Sequence, residues 1–338
     1  AGEECAGMER REPDFTSLFL EHSGNTYFRS DWSERANFLH LHSGTMGAGH
    51  GHSDKLHIDL VVNGEDVLMD GGRYTYVSGP KRFSYKDPSG HNTITVDDLP
   101  FTVCKDSWEC SKLSQPVKEN FRCTKLAEFA QAGQLGYMDL PGGVYVNRKA
   151  VYIKPDLYVL ADEMYTGDRH TYQQYFHFNN HGTVTQNAPG EKKFPCVVYR
   201  GKMAEADFYF VSAQVKAELK SGHIARHYNV EEENTVCKVT KQGEGFTSLI
   251  TVIDAQPGRP LSIEKLPVRS ALKQTDYPET MAEALKITAG EKEYVVILCH
   301  QEVNSPTDLV EADGCLGYGN VIVFDKAGDV LVGDVLNW

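Results

Sequence analysis

Short runs of β-branched and aromatic residues, many of them alternating with polar residues, recur along almost the whole chain. They include LHIDLVVNG, HNTITVDD, YQQYFHF and EYVVILCH, and turn signals such as NG, PGG and KPD separate them. Alternation with a period of two places apolar side chains on one face of a strand, so the pattern predicts an all-β fold. Two stretches, DWSERANFL near the start and ETMAEALKI at residues 279–287, instead predict short helices.

The turn-rich segment DAQPGRP, from Asp254 to Pro260, interrupts this pattern after a strong apolar run. Its two prolines and its glycine end regular structure, and the β pattern resumes beyond them. We therefore predict two domains, residues 1–254 and residues 255–338. The first is expected to be a large antiparallel sandwich of several sheets, and the second a smaller C-terminal β domain.

Composition and charge exclude several classes of partner. With 41% hydrophobic and 24% charged residues, the 338-residue chain has the composition of a globular protein, and no apolar run is long enough to cross a bilayer. A formal net charge of −13 argues against a protein that grips the backbone of nucleic acids. It leaves room for a local basic cleft that binds an acidic sugar polymer.

The cysteines lack the spacing of a zinc ribbon or of a small disulfide scaffold, so most are expected to be buried free thiols. Free thiols favour a reducing, cytoplasmic compartment. Because the sequence begins with Ala1 and not with an initiator Met, a secreted or periplasmic location stays open. The eight positions are Cys5, Cys104, Cys110, Cys123, Cys196, Cys237, Cys299 and Cys315.

The stretch GAGHGHSD places His50 and His52 two residues apart, just before an apolar run. If the stretch is the start of a strand, both imidazoles point to the same side. The NG turn folds the next run, which ends at Asp70, back antiparallel and brings Asp70 close to His52. His91 opens a third strand and completes the predicted group.

Two neutral imidazoles and a carboxylate suit Zn²⁺, and three protein ligands leave a fourth position for water or substrate. Mn²⁺ or Ca²⁺ also suits a site with a carboxylate and a free position. The alternative is that His50 and His52 are hydrogen-bonded sheet residues, Asp70 is a turn carboxylate and His91 caps a loop. Spacing alone leaves both interpretations open.

Two further histidines are expected to be structural. His57 follows His52 by five residues, and an odd interval places it on the opposite face of a strand. His177 lies among aromatic residues in QQYFHF, which favours a core histidine bonded to the backbone.

Several motifs, in order along the chain, resemble the β-sheet part of the heparinase II/III-like family of polysaccharide lyases and related uronate-processing enzymes. They are RSDWSERANFLHLHSGTMGAGHGHSDKLHIDLVVNGEDVLMDGGRYTYVSG, HNTITVDD, RKAVYIKPDLYVLADEM and HTYQQYFHF. The resemblance covers most of residues 15–180, and from residue 185 onward only the β pattern continues it. It implies a polysaccharide lyase, or its β-sheet part, that cleaves glycans containing uronic acid by β-elimination.

The family's H-x-H-x-D motif matches His50, His52 and Asp54. The resemblance implies a metal, usually zinc, held by His52, Asp70 and His91. It also implies that His50 lies at the sugar cleft and takes part in catalysis.

The loop after Asp70 is implied to contact the substrate. A tyrosine of this loop approaches the sugar in family members, and Tyr74 and Tyr76 both match it. Arg73 stands in a Gly-Gly-Arg sequence where members often carry Pro-Gly-Thr, which makes it a candidate contact to an anionic sugar. Arg82, in PKRFSY, is a second candidate because of its charge.

Family members carry an (α/α) helical toroid before these sheets, and it supplies further groups for proton transfer. The present sequence has no such pattern, so a toroid is expected upstream or in trans, and activity is expected to require it. Two alternatives stay open: a non-catalytic carbohydrate-binding or structural module, and a uronate C5-epimerase relative. Only elimination creates a conjugated unsaturated uronate, whose ultraviolet absorbance distinguishes a lyase from both.

Overall fold

A computed structural model describes residues 11–47, 50–188, 190–326 and 331–337 of the chain. Strands account for 56% and helices for 4% of the structure, which confirms the predicted all-β class. One α-helix, α1, covers Pro80–Lys86, and two single-turn 3-10 helices cover Glu21–Ser23 and Pro88–Gly90. No helix in the described ranges is long and apolar enough to span a membrane.

The strands are β1 (Leu18–Leu20), β2 (Asn25–Arg29), β3 (Phe38–His42), β4 (His57–Val62), β5 (Glu65–Leu68), β6 (Ile94–Val96), β7 (Val103–Cys104), β8 (Cys110–Lys112), β9 (Pro116–Cys123), β10 (Ala127–Tyr137), β11 (Val144–Ile153), β12 (Leu157–His177), β13 (Thr183–Gln186), β14 (Cys196–Arg200), β15 (Glu205–Phe210), β16 (Lys216–His227), β17 (Val230–Asp254), β18 (Leu261–Leu266), β19 (Arg269–Ser270), β20 (Ala282–Ala289), β21 (Lys292–Cys299), β22 (Val310–Ala312), β23 (Cys315–Gly317), β24 (Val321–Asp325) and β25 (Val332–Asn337).

Three large sheets make up most of the fold. The central sheet has ten strands in the order β13-β14-β15-β17-β12-β11-β10-β9, with β6 paired to β12 and β16 paired to β17. The first sheet contains β1 to β5 in sequential order, and the third has the order β18-β20-β21-β24-β25. All their ladders are antiparallel, as predicted. Small sheets are formed by β7 with β8 and by β19, β22 and β23.

Alternate residues of the central sheet face the two outer sheets. On β11, Ala150 and Tyr152 belong to the core shared with the first sheet, whereas Val151 and Ile153 belong to the core shared with the third sheet. Because both faces of the central sheet are covered, its strands read as nearly continuous apolar runs such as LYVLA. The described residues therefore form a stack of three sheets with a core on each face of the central sheet, and a third core lies on the far side of the third sheet.

A buried ion pair connects the central sheet to the loops around the first sheet. Arg148 and Asp162 face each other on β11 and β12, and Nε and Nη2 of the arginine donate to the two carboxylate oxygens at 2.6 and 2.8 Å. Nη1 donates to the main-chain oxygens of Leu56 and Asn92 at 2.5 and 2.9 Å. A desolvated charge pair is tolerated where such hydrogen bonds replace those to water. This pair fixes the entry into β4 and the segment before β6.

The predicted hairpin between the two apolar runs is confirmed. Strands β4 and β5 pair antiparallel through a turn at Asn63 and Gly64, whose φ angles are 50° and 77°. Two successive left-handed residues are typical of the type I′ turn, for which Asn-Gly is the preferred sequence. The hairpin returns the chain to Asp70, beside the start of β4.

Both helices predicted from the sequence are wrong. DWSERANFL forms bends and turns that lead into β3, and most of ETMAEALKI lies in β20. The apolar residues of β20 divide between two cores, because Leu285 packs on the central sheet and Ala284 packs on the opposite side. Burial on two faces overrides the helical propensity of alanine and leucine. The helix that does form, α1, begins with Pro80 at its first position, where a missing N–H costs nothing.

The predicted domain boundary at Asp254 coincides with the end of β17, and the third sheet begins with β18 at Leu261. One core crosses this boundary, since Val252 of the central sheet and Val296 of the third sheet belong to the same cluster. The division into domains 1–254 and 255–338 stays a prediction.

We expect Arg148→Met to lower the free energy of unfolding by about 3–5 kcal/mol, because Asp162 is then buried without its partner. The double variant Arg148→Met/Asp162→Leu should lose less, since it removes both charges. Urea denaturation measures both values. Lys216→Met is the control, because this exposed lysine pairs with Glu218 at the surface and should change stability by less than about 1 kcal/mol. A single Arg148 variant as stable as the wild type would contradict the prediction.

Candidate functional site

The histidine-bearing stretch is a loop, so the prediction that it starts a strand is wrong. His50 and His52 precede β4, which begins only at His57. The loop folds back at Gly51, where an added Cβ would lie 1.9 Å from the main-chain oxygen of Met46. So close an approach of two backbone segments needs glycine and replaces the extended conformation. Both imidazoles nevertheless face the same cleft, as expected.

Three segments converge at the predicted ligand cluster. His52 comes from this loop, Asp70 follows β5, and His91 follows the second 3-10 helix. Each offers one ligand atom, and these atoms lie within 4.8 Å of one another. Asp70 Oδ1 lies 2.5 Å from His91 Nδ1, and the backbone N–H of Gly72 donates to Asp70 Oδ2 at 2.8 Å. The structure thus brings the three predicted ligands together.

The electrostatics of the cluster keep His52 and Asp70 in the states that a metal needs. Burial, together with the neighbouring His91, lowers the pKa of His52 to about 4, so its ring is neutral at pH 7. Burial acts to raise the pKa of Asp70, but the rings of His91, His57 and His52 hold it well below its ordinary value. Neutral imidazole and ionised carboxylate are the forms that ligate metal ions.

One observation favours a bound cation and one opposes it. Among the residues that the structure describes, none bonds to Nε2 of the buried His91 ring, and a buried polar atom without a partner is costly. Two imidazoles and a carboxylate are also a zinc donor set. Against this, Arg82 Nη1 lies 3.0 Å from His52 Nε2, so a metal at that nitrogen requires the guanidinium group to shift. The donor set fits a metal ion once Arg82 moves.

An open cleft of about 500 Å³ borders the cluster, and His50 and Tyr76 line it. His50 Nδ1 lies 2.6 Å from the hydroxyl oxygen of Tyr76, and Arg73 Nη1 donates to the same oxygen at 3.2 Å. The phenol oxygen therefore accepts from Arg73 and shares a second, shorter hydrogen bond with the imidazole of His50. The arrangement is a histidine–tyrosine pair with a cation on the tyrosine side.

The structure distinguishes the two candidate tyrosines. Tyr76 lines the cleft, whereas Tyr74 has a left-handed φ of 51° and stacks on Tyr85 with ring centroids 5.6 Å apart. Arg73 also lines the cleft. Arg82 has no exposed surface and lies 5.4 Å from the centre of the Tyr76 ring. Substrate binding by the two arginines stays a prediction.

Sequence reasoning missed two groups of cleft residues. Arg226, His227 and Tyr228, at the turn between β16 and β17, line the cleft across from His50. Their only signal in the sequence was a basic and aromatic cluster, RHY. Trp108 was also missed; its ring stacks on Tyr76 with centroids 5.3 Å apart and meets His50 edge-on at 5.8 Å.

The structural roles predicted for His57 and His177 are confirmed. His57 Nδ1 accepts from the backbone N–H of Asn92, and its Nε2 donates to Asp59, both at 3.0 Å. The prediction that His57 faces away from the cluster is wrong, because its ring centre lies 5.7 Å from that of His91. The buried His177 donates from Nε2 to a main-chain oxygen at 3.0 Å.

Comparison with known proteins identifies what this architecture resembles. A family model described as "Heparinase II/III-like, C-terminal" matches residues 13–263. Among solved structures, heparan sulfate lyase HepC from Pedobacter heparinus superposes with a TM-score of 0.71 at 16% identity, over 88% of this chain and 45% of HepC. The BT4657 gene product, described as heparinase III, gives a TM-score of 0.69 at 15% identity, over 87% and 44% of the two chains.

These likenesses show the fold, and the present chain spans less than half the length of both solved lyases. No sequence among the curated proteins matches the chain.

The buried His177 should make stability depend on pH. Burial and the nearby His91 lower its pKa in the folded protein to about 4, against 6.5 for an ordinary histidine. Between these values the unfolded chain binds a proton that the folded chain does not. The free energy of unfolding should therefore fall as pH falls from 6.5 to 4, by about 3 kcal/mol from this residue.

Guanidinium denaturation at a series of pH values, with a chelator present, tests this expectation. In His177→Gln the free energy of unfolding should fall less between pH 6.5 and 4 than in the wild type. The variant His22→Gln, at an exposed position, should keep the wild-type dependence. Equal slopes in the two variants would refute the assignment.

Proposed function

Because the chain belongs to the heparinase II/III-like family, which it matches over residues 13–263, we propose that it is the β-sheet part of a lyase that cleaves glycans containing uronic acid. The observation that carries this proposal is the hydrogen-bonded pair of His50 and Tyr76 in an open cleft, with Arg73 beside it. The solved structures of similar fold are named as heparan sulfate lyase and heparinase III. We therefore propose heparan sulfate as the class of substrate.

The chemistry of β-elimination explains the residue types. The C5 proton of a uronate is weakly acidic, so the enzyme needs a base at C5, an acid at O4 and positive charge near the carboxylate. In our proposal His50 takes the C5 proton, the C–H electrons form the C4–C5 double bond, and the C4–O4 bond breaks. Tyr76 gives its proton to O4, and the phenolate recovers a proton from His50 along their 2.6 Å contact. The pair ends as it began.

Arg73 is proposed to bind the substrate carboxylate. Its contacts are the Tyr76 hydroxyl and the rings of Tyr76 and Tyr228, and within the described ranges no carboxylate pairs with it. Its charge is therefore available to an acidic sugar, although the chain as a whole is acidic. The buried Arg82 is proposed to support substrate binding from beneath the Tyr76 ring.

We propose zinc as the ion at His52, Asp70 and His91, with Mn²⁺ and Ca²⁺ as alternatives. A bound ion would supply positive charge and hold the three segments that meet there. Since Gly72 donates to Asp70, the cluster also fixes the start of the loop that carries Arg73 and Tyr76. The role proposed for the metal is therefore to support the cleft.

A helical toroid domain is the proposed partner for full activity. The chain spans less than half of the solved lyases, and its described residues contain one α-helix of seven residues. A toroid in the same protein or in trans would close the open side of the cleft and add groups for proton transfer.

We expect Tyr76→Phe to reduce elimination by about 10²–10⁴-fold, because it removes the proposed acid. Tyr74→Phe is the matched control and should keep nearly full activity, since Tyr74 stacks on Tyr85 outside the cleft. The assay follows the ultraviolet absorbance of the unsaturated product from heparan sulfate, with the chain alone and with a helical toroid domain added. Binding without product in both cases would favour a binding module, and inversion at C5 without absorbance would favour an epimerase.

Metal content tests the proposed ligands directly. We expect stoichiometric zinc in the wild type, its loss in His52→Ala and its retention in His227→Ala, because His227 lines the same cleft outside the ligand cluster. Removal of the metal should also lower Tm, since an ion that binds only the folded state stabilises it. Elemental analysis and thermal unfolding measure both effects. A metal-free wild type with unchanged Tm after zinc is added would contradict the proposal.

A further inference from the structure

Two cysteines face each other across a small hairpin at the edge of the cleft. Cys104 ends β7 and Cys110 begins β8, and the two are directly opposite in the pairing register. Their Sγ atoms lie 2.6 Å apart. Opposite residues in an antiparallel pair have Cα atoms about 4.5–5.5 Å apart, within the range that a disulfide spans. The pairing register and the close approach of the two sulfur atoms thus place these thiols where a disulfide can join them.

No comparable pair occurs among the other cysteines that the structure describes. Cys123 is exposed, and four others are buried free thiols, as the sequence predicted for most of them; Cys5 lies outside the described residues. The buried thiols are Cys196, Cys237, Cys299 and Cys315.

The five residues between the two cysteines form an ordered loop that is anchored on one side. Asp106 Oδ1 accepts from the backbone N–H groups of Trp108 and Glu109, both at 2.7 Å. The hydroxyl of the fully buried Ser107 donates to the main-chain oxygen of Tyr76 at 2.6 Å, and the main-chain oxygen of Ser107 accepts from Lys86 Nζ at 2.9 Å. The position of the loop is thereby tied to the segment that carries Tyr76.

The other side of the loop places Trp108 against Tyr76 and His50, which line the cleft. Its side chain is 57% exposed, although its ring stacks on Tyr76 at an interplanar angle of 21°. The ring of Tyr228, also exposed, lies 6.0 Å from that of Tyr76, and Arg73 lies over both tyrosines. Exposed aromatic side chains grouped at a cleft are typical of a ligand contact surface. Trp108, Tyr76 and Tyr228 together form a partly apolar aromatic wall next to His50.

We infer that Cys104 and Cys110 form a disulfide that locks the loop between them and holds Trp108 as an aromatic wall for a sugar ring. The disulfide stands on the geometry of the hairpin alone, whereas the contact with sugar rests on the proposed function. The disulfide then closes the loop covalently at its two ends. It adds to the hydrogen bonds of Asp106 and Ser107 and further restricts the direction of the Trp108 side chain.

The oxidation is a thiol–disulfide exchange with a small disulfide oxidant such as oxidised glutathione. The Cys110 thiolate attacks one sulfur of the oxidant, forms a mixed disulfide and releases one thiol. Cys104 then attacks the Cys110 sulfur, which forms the protein disulfide and releases the second thiol. Two protein thiols are oxidised, one oxidant disulfide is reduced, and the two protons end on the two released thiols. Burial and the adjacent Cys110 raise the pKa of Cys104 to about 12, which favours Cys110 as the first to attack.

Peptide mapping tests the bond without any reference to activity. Lys105 lies between the two cysteines, so trypsin places Cys104 in peptide 87–105 and Cys110 in peptide 106–112. After incubation of the whole chain with oxidised glutathione and alkylation, we expect these peptides joined, and separated by dithiothreitol. Cys123 should be alkylated throughout. Complete alkylation of both Cys104 and Cys110 after this incubation would overturn the inference.

Native proteolysis tests whether the bond locks the loop. Lys105 is exposed, so reduction of the disulfide, or Cys110→Ser, should speed tryptic cleavage of the native chain after Lys105 several-fold. Cys123→Ser is the matched control and should be cleaved like the wild type. Equal cleavage rates for the oxidised and reduced wild type would overturn the lock.

Binding of a heparan sulfate oligosaccharide tests the wall. We expect a Kd roughly threefold to tenfold higher than that of the oxidised wild type in Trp108→Ala, in Cys110→Ser and in the reduced wild type. This ratio corresponds to the binding free energy of one lost aromatic contact. Cys123→Ser should keep the wild-type Kd. An unchanged Kd in Trp108→Ala would overturn the sugar contact. Absence of binding by the oxidised wild type would instead count against the proposed function, while mapping and proteolysis still decide the disulfide and the lock.

Discussion

The desolvated pair of Arg148 and Asp162 is the interaction on which the position of the cleft depends. A buried guanidinium group needs hydrogen-bond partners to replace water, and here each of its three nitrogens has one, through one carboxylate and two main-chain oxygens. Those oxygens belong to Leu56 and Asn92, which precede β4 and β6. One cation of the central sheet thereby holds two of the loops that carry candidate ligands.

Asn92 extends this control to the remaining segment. Nδ2 of its side chain donates to the main-chain oxygens of Ile58 and Met69. Oδ1 of the same side chain accepts from the backbone N–H of His177. Met69 precedes Asp70, and Asn92 follows His91, so a single buried amide sets the separation of two proposed ligands. Buried polar groups that are fully bonded allow only one arrangement of the chain around them. The cleft can therefore be open while its floor is rigid.

The sequence by itself determined the class of the fold and the hairpin that brings Asp70 back towards His52. Alternating runs and turn residues predict strands because the period of two is a property of the extended backbone. The Asn63-Gly64 turn predicts a hairpin because its two left-handed residues are locally favoured, and the hairpin alone brings Asp70 back towards His52. These features depend on neighbours in sequence, and the structure agrees with each of them.

Only the tertiary structure decided which residues line the cleft and which segments abandon their local preference. The alanine-rich β20 is a strand because two cores bury its two faces. The loop at Gly51 departs from the extended form because it folds back on the main-chain oxygen of Met46. Trp108 and Tyr228 reach Tyr76 from hairpins far apart in sequence. Local periodicity carries no information about such contacts, since they arise when sheets stack and place the ends of unrelated strands side by side.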